Sequence, residues 1–148
     1  MADEAYRAVF LRVHPTGKMV LSLTTESDGN ETRYAERVAA ALGVPPLDVK
    51  VVPADTNRFG VGHGFNTAPS PGVAAAIDST SERNQAKARL LAGADLQTAP
   101  DELTWADGAF AAGDQTRTIA DIALYAHGSG ALPPGVEGGL DAQTVFAD

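Results

Sequence analysis

The chain has 148 residues, of which 44% are hydrophobic and 20% charged, which is enough for one soluble domain with its own core. Its net charge is −8, and residues 101–148 carry eight acids and one base, so neither nucleic acid nor an anionic membrane is expected as a partner. The absence of cysteine excludes disulfides, thiolate-bound metals and thiol nucleophiles.

The N-terminus "MADEAYRAVF" has neither the basic region nor the apolar region of a signal peptide. A chain without cysteine is also compatible with a reducing compartment. We therefore expect a cytoplasmic location.

The first half of the chain predicts a β-hairpin, a helix and a strand. Residues 6–24 form two strand-like segments joined by the turn sequence "HPTGK". The helix is capped by Asp28 or Asn30, and it ends at Gly43 before two prolines. Its predicted inward residues are Tyr34, Val38, Ala41 and Leu42. The strand follows in "DVKVVPAD".

A glycine-rich loop comes next, with the sequence "GVGHGFNTAPSPG" at residues 60–72. Glycines permit a close backbone approach to a ligand, so this loop is more than a plain connector. Ser70 and Pro71 suit the start of a helix, and that long helix is predicted to reach Leu96.

The second half predicts a small hairpin and a short helix. Asp107-Gly108 in "LTWADGAFAA" suits a type I′ turn. Thr118 and Asp121 fit a capping box, and they start a helix with its apolar face formed by Ile119, Ile122, Ala123 and Ala126. Residues 129–148 are predicted to be an extended Gly/Pro-rich tail. The fold class is α/β, of the α+β type, in a single domain over residues 1–148.

Motifs that carry chemistry are few. "GVGHG" is neither the dinucleotide fingerprint nor a P-loop, and no pair of histidines has metal-ligand spacing, so no metal site is predicted. His14 and His127 are expected in a turn and at a helix end. His63 lies in the glycine-rich loop, and with Asp28 it is a candidate acid–base group. Trp105 is expected in the core or an interface.

The order of these segments resembles the molybdenum hydroxylases, the family of xanthine dehydrogenase, the aldehyde oxidases and the large subunit of aerobic carbon monoxide dehydrogenase. "SDGNET" stands where that family has G-Q-G-H-E-T, and "ALGVPPLDVKVVPADTNRFG" follows it closely. "GVGHGFNTAPSPGVAAA" is similar to the family's glycine loop and the start of its next helix, and "LPPGVEGGL" to a later connector. The resemblance covers about residues 8–142 and implies part of a molybdopterin-binding domain.

In that family two loops hold a molybdopterin, so the resemblance implies that residues 24–30 and 60–70 converge on one pocket. Glycine backbones and helix N-termini suit a polar cofactor with a phosphate tail. The implied cofactor-binding residues are Asp28, Gly29, Asn30, Gly60, Gly62, His63, Gly64, Phe65, Asn66 and Thr67.

The chain also departs from the family pattern. Asp28 replaces a glutamine that donates to the cofactor, and an ionised carboxylate can only accept hydrogen bonds. Residues 65–68 replace the serines and arginine of the glycine loop, and no glutamate lies in the family's catalytic G-x-G-E segment.

Three functions follow from these observations. The first is a partial oxidoreductase subunit that binds molybdopterin and needs another protein chain to catalyse. The second is a free-standing descendant that holds no cofactor and acts as a small-molecule binder or enzyme. The third is a structural partner, either for another chain or for a second copy of itself, which docks through the small-residue face of helix 71–96.

Overall fold

A computed structural model describes residues 6–24, 29–52, 71–128, 132 and 138–147. The helices are α1 (Glu31–Leu42), α2 (Pro71–Leu96) and α3 (Ile119–Gly128). The strands are β1 (Tyr6–Val13), β2 (Met19–Leu23), β3 (Val49–Val52), β4 (Thr104–Ala106), β5 (Ala109–Ala112), β6 (Gln115–Thr118) and β7 (Leu140–Ala147). Short 3₁₀ turns occupy Pro46–Asp48 and Pro100–Glu102.

The main sheet has four strands in the order β3-β2-β1-β7. β1 pairs antiparallel with both β2 and β7, whereas β2 pairs parallel with β3. Every second residue of β1 and β2 is buried, and these residues are Val9, Leu11, Val13, Met19, Leu21 and Leu23. This alternation places one face of the sheet against the helices. The predicted hairpin over residues 6–24 is confirmed.

Helix α1 connects the parallel strands β2 and β3. Its buried residues are Tyr34, Ala35, Val38, Ala39 and Leu42, while the predicted inward residue Ala41 is half-buried. Gly43 ends the helix in the left-handed conformation, with φ +70°, and its N–H donates to the carbonyl of Ala39. Pro45 and Pro46 then prevent continuation, as the sequence predicts.

Helix α2 packs against α1, β1, β7 and α3, so it forms the centre of the helical layer. Its end at Leu96 matches the prediction, and its start at Pro71 is the predicted first helical residue. Buried small and medium-sized residues, among them Val73, Ala76, Ile77, Ala88 and Ala92, allow close packing on these neighbours. No described helix is long and apolar enough to cross a membrane.

The second sheet has three strands in the order β4-β5-β6. Asp107 and Gly108 both have positive φ, as the predicted type I′ turn requires. Thr118 Oγ1 accepts from the N–H of Asp121 at 3.1 Å, and Asp121 Oδ2 accepts from the N–H of Thr118 at 3.0 Å. The capping box at the start of α3 is therefore confirmed, with the four predicted apolar residues buried.

Two strands were not expected from the sequence. β6 extends the predicted hairpin to three strands, with Phe110 opposite Arg117. β7 lies in the segment predicted as an extended tail, and all eight of its residues pair with β1, from Tyr6–Ala147 to Val13–Leu140. The end of this segment is therefore part of the main sheet, and Leu140 is fully buried in the core.

Candidate functional site

The two loops predicted to bind a ligand leave the main sheet from neighbouring strands. β2 ends at Leu23 and β3 ends at Val52, and Ser22 lies opposite Val52 in the parallel ladder. Carboxyl ends of adjacent parallel strands meet at one edge of a sheet, where ligands bind in open α/β folds. The chain therefore enters both loops at the same edge of the sheet, namely the edge formed by the carboxyl ends of β2 and β3.

Helices α1 and α2 begin after these two loops, and the contacts between them fix their relative direction. Arg37 of α1 contacts Asp78 of α2. Further along both helices, Gln85 Nε2 of α2 donates to the carbonyl of Ala41 of α1 at 3.2 Å. Residue numbers rise together along both helices, so the helices run in the same direction. Arg37 and Asp78 lie six and seven residues after the starts of their helices, so both helices begin on the same side of this contact.

The contact between Arg37 and Asp78 is bidentate. Arg37 Nε lies 2.7 Å from Asp78 Oδ1, and Arg37 Nη2 lies 2.9 Å from Asp78 Oδ2. This hydrogen bonding with Asp78 raises the pKa of the Arg37 guanidinium, as expected for a charge-assisted bidentate pair. Because both side chains are about half exposed, the ion pair fixes the position of α1 relative to α2 more than it stabilises the fold.

Two N-termini at one edge make that edge attractive to an anion. Each helix start has backbone N–H groups without intrahelical acceptors and a partial positive charge from the helix dipole. These features are what a phosphate group requires of a protein site. The geometry thus suits a ligand that carries a phosphate and contacts both loops.

The described end of the first loop contains Gly29 and Asn30. Gly29 has φ +82°, a conformation that glycine adopts without strain. Asn30 is the N-terminal capping residue of α1 by position, and its carbonyl accepts from the N–H of Tyr34 at 2.9 Å. Its side chain does not cap the helix, which corrects the expected role of the amide.

Asn30 is nevertheless 1% exposed, and its Oδ1 has no hydrogen-bond partner among the described residues. An unsatisfied buried acceptor costs roughly 1–3 kcal/mol, and a ligand at this position could supply the missing donor. The sequence identified Asn30 through the resemblance, but burial of the orphaned oxygen is visible only in the structure.

The other predicted site residues lie outside the described residues. These are Asp28, Gly60, Gly62, His63, Gly64, Phe65, Asn66 and Thr67. Convergence of the two loops therefore stays a prediction, supported by the strand ends and helix starts that flank them. The pairing of Arg37 with Asp78 was missed because no local signal connects residues 41 positions apart.

The remaining histidines and the tryptophan lie in structural positions. His14 is in the β1–β2 turn, where its N–H donates to the carbonyl of Lys18 at 2.8 Å. His127 is in the last turn of α3, with Nε2 3.4 Å from the carbonyl of Val13. Trp105 packs against Phe110 with ring centroids 4.6 Å apart. Within the described ranges, no group of three acidic or histidine side chains could hold a metal.

Comparison with known proteins identifies one family along nearly the whole chain. The family model of the molybdopterin cofactor-binding domain matches residues 2–148. The carbon monoxide dehydrogenase large chain of Hydrogenophaga pseudoflava is 33% identical over 138 residues, which are 89% of this chain and 17% of that protein. The large chain from Afipia carboxidovorans is 31% identical over 144 residues, covering 92% of this chain and 17% of that protein. The chain thus spans about a sixth of these relatives' length.

Solved structures share the same fold. A Cu,Mo-CO dehydrogenase in the carbon monoxide reduced state has a TM-score of 0.75 at 28% identity, covering 95% of this chain and 18% of that chain. Reconstituted CO dehydrogenase from Oligotropha carboxidovorans has a TM-score of 0.76 at 27% identity, covering 96% of this chain and 18% of that chain. Quinoline 2-oxidoreductase from Pseudomonas putida 86 gives 0.72 at 24% identity, over 99% and 19%. The α/β fold expected from the resemblance is confirmed.

Proposed function

Because the chain belongs to the molybdopterin cofactor-binding domain family, we propose that it forms one wall of a molybdopterin site in a molybdenum hydroxylase. The observation that carries the proposal is the sheet edge where β2 and β3 end and two parallel helices begin. That edge receives both loops that the family uses for its cofactor.

The described residues at this edge fit such a cofactor. Backbone N–H groups in the first turns of α1 and α2 would bind its phosphate. Asn30 Oδ1, which is buried without a partner, would accept a hydrogen bond from an N–H group of the pterin. Gly29 leaves its backbone open to close approach because it has no side chain. Of the loop residues, Asp28 opposes binding by its charge.

The bound molybdenum cofactor would supply the redox chemistry, in which a carbon centre is hydroxylated with oxygen from water. The role of this chain in that reaction is binding and orientation. Residues 1–148 hold no glutamate in a G-x-G-E segment, so the general base would come from outside this part of the enzyme.

A partner polypeptide is part of the proposal, since the chain spans about a sixth of its curated relatives. The cytoplasm is the proposed location, in keeping with a chain that lacks cysteine. A free-standing binder that has abandoned the cofactor is not favoured, because similarity extends over about nine tenths of the chain.

The proposal is tested by measuring molybdenum and pterin in the complex that the chain forms with the products of neighbouring genes. We expect about one molybdenum per complex. Asn30→Asp should weaken binding of the anionic cofactor at least ~10-fold and so lower this ratio, because the buried carboxylate would repel the cofactor by more than about 1.4 kcal/mol. Asn84→Asp is the matched control, because Asn84 is also buried with an unpartnered Oδ1 but lies against Leu140, away from this edge.

Ratios are compared only in the folded fraction, so that instability of either variant does not mimic a loss of binding. Complexes without molybdenum would reject the proposed function. Equal ratios in Asn30→Asp and the unchanged chain would remove Asn30 from the site.

A further inference from the structure

Among the residues that the structure describes, β3 is the outermost strand on one side of the main sheet. The side of β3 that faces away from β2 is called the β3 edge, and it is distinct from the end of the sheet that carries the candidate site. Strand β3 pairs with β2 on one side, from Met19–Val49 to Ser22–Val52. No described strand lies on its other side, so the backbone N–H and C=O groups of β3 that point away from β2 have no partner strand among the described residues. Such an edge can accept a further strand from another polypeptide.

An apolar groove of about 230 Å³ lies beside this edge. Its apolar lining comes from Ala35 of α1, from Pro46 and Leu47 of the 3₁₀ turn, and from Val49 and Val51 of β3. Val49 and Val51 are on the face of the sheet that packs against the helices. The groove is therefore the place where the core between sheet and helices opens sideways.

Leu47 at the rim of this groove is 95% exposed. The turn that carries it is fixed, because Pro45 and Pro46 restrict the backbone and Asp48 Oδ1 accepts from Lys18 Nζ at 2.7 Å. A leucine held rigidly in water gains free energy when a partner covers it, at little cost in ordering. The exposed side chain and the open edge thus form one surface.

The opposite edge of the sheet differs, because side chains of α2 reach the backbone of β7. Asn84 Nδ2 donates to the carbonyl of Leu140 at 3.3 Å, and Arg83 Nη1 lies 3.4 Å from the carbonyl of Gln143. No hydrogen bond from α1 to a β3 carbonyl is found in the described part of the chain. This contrast selects the β3 edge.

We propose that an extended segment of the polypeptide that completes the molybdenum hydroxylase docks along β3 as a fifth strand. One large apolar side chain of that segment fills the groove and covers Leu47. The choice of occupant rests on the proposed function and on length, since the relatives are about six times longer and most of their polypeptide lies outside the part that this chain matches. A second copy of the chain is the competing occupant.

The experiment places a photo-crosslinking benzoylphenylalanine at Leu47 in the complex purified for molybdenum analysis. Leu124 on α3, which is 60% exposed, is the matched control position. Crosslinked peptides are identified by mass spectrometry. We expect position 47 to capture one segment of the molybdenum hydroxylase polypeptide, and position 124 not to capture that segment.

Leu47→Asp and Leu124→Asp complete the test. Leu47→Asp should weaken the complex at least tenfold, while the melting temperature of the isolated chain is unchanged because the side chain is exposed. In hydrogen exchange, amides of residues 49–52 should become protected when the complex forms. Self-crosslinks at position 47, or a complex that tolerates Leu47→Asp, would overturn the inference.

The two proposals fail in different ways. A molybdenum-containing complex that assembles without contact at Leu47 would reject the docked strand and keep the proposed function. A crosslink at Leu47 to the expected polypeptide in a complex without molybdenum would reject the proposed function and keep the docked strand.

Discussion

At the scale of single residues, a tight backbone contact between two separate elements joins Gly43 and Gly108. Gly43 ends α1 and Gly108 lies in the β4–β5 turn, and both have positive φ. A Cβ built on Gly108 would lie 2.4 Å from the carbonyl oxygen of Gly43. Glycine at these positions therefore serves both the turn conformation and the close approach.

Gly108→Ala should destabilise the chain by about 3 kcal/mol, as left-handed strain of about 1 kcal/mol adds to a backbone clash of about 2 kcal/mol. Gly113→Ala is the control, because Gly113 has φ +63° and nothing within 4 Å of the added Cβ. It should show the strain alone. Urea denaturation measures both values, and equal losses would show that the contact with Gly43 is unimportant.

The sequence predicted the conformation of both glycines but not the contact between them. Gly43 follows an apolar helical period, and Asp107-Gly108 is a turn pair, so each is a local signal. The contact joins residues 65 positions apart, and nothing local encodes it. Asn30 is a similar case, since its capping position was predicted and its unsatisfied buried oxygen was not.

At the scale of elements, a line of polar side chains on α2 holds strand β7. The hydroxyl oxygens of Thr80 and Thr144 are 2.7 Å apart, and Thr80 Oγ1 also lies 2.7 Å from the carbonyl of Ala76. Thr80 and Asn84 are both fully buried. Hydrogen bonds here compensate for polar groups that the packing has removed from water.

Thr80→Val should lower the free energy of unfolding by about 1–2 kcal/mol, because the half-buried Thr144 hydroxyl loses its partner. Ser81→Ala is the control, since Ser81 Oγ bonds only within its own helix, to the carbonyl of Ile77 at 2.9 Å. Its effect should stay within about 0.5 kcal/mol, helped by the helix propensity of alanine. Hydrogen exchange should show faster opening of β7 in Thr80→Val alone, and equal exchange in both variants would contradict this role.

The helices and the first hairpin were predictable because each carries its own periodicity and end signals. β6 was missed because "QTRT" has no apolar residue, and its pairing with β5 depends on tertiary contacts. β7 was missed because prolines and glycines before it indicate a tail. A weak signal does exist, since Leu140, Ala142, Thr144 and Phe146 alternate toward the helices, but Val145 interrupts the pattern.

At the scale of the whole molecule, the order β3-β2-β1-β7 brings both ends of the described chain together in one sheet. The parallel β2–α1–β3 unit lies at the other side and carries the candidate site at its strand ends. The resemblance implies that two loops form that site, and their convergence stays a prediction because most of their residues lie outside the described ranges. Both loops start at the same end of the sheet because β2 and β3 are parallel, and a list of strands read from the sequence does not specify their pairing.

This arrangement predicts that removal of residues 138–148 abolishes cooperative folding, although the segment resembles a dispensable tail. β1 would lose a partner along all eight of its residues, and the core would lose Leu140, which is fully buried. β1 lies between β7 and β2 in the main sheet, so a loss of its pairing with β7 also affects β2 and the candidate site beyond it. Thermal unfolding followed by circular dichroism should lose its sigmoidal transition. Val145→Thr, which changes only a 60% exposed side chain of β7, should keep the transition, and a truncated chain that still unfolds cooperatively would show that β7 is an accessory strand.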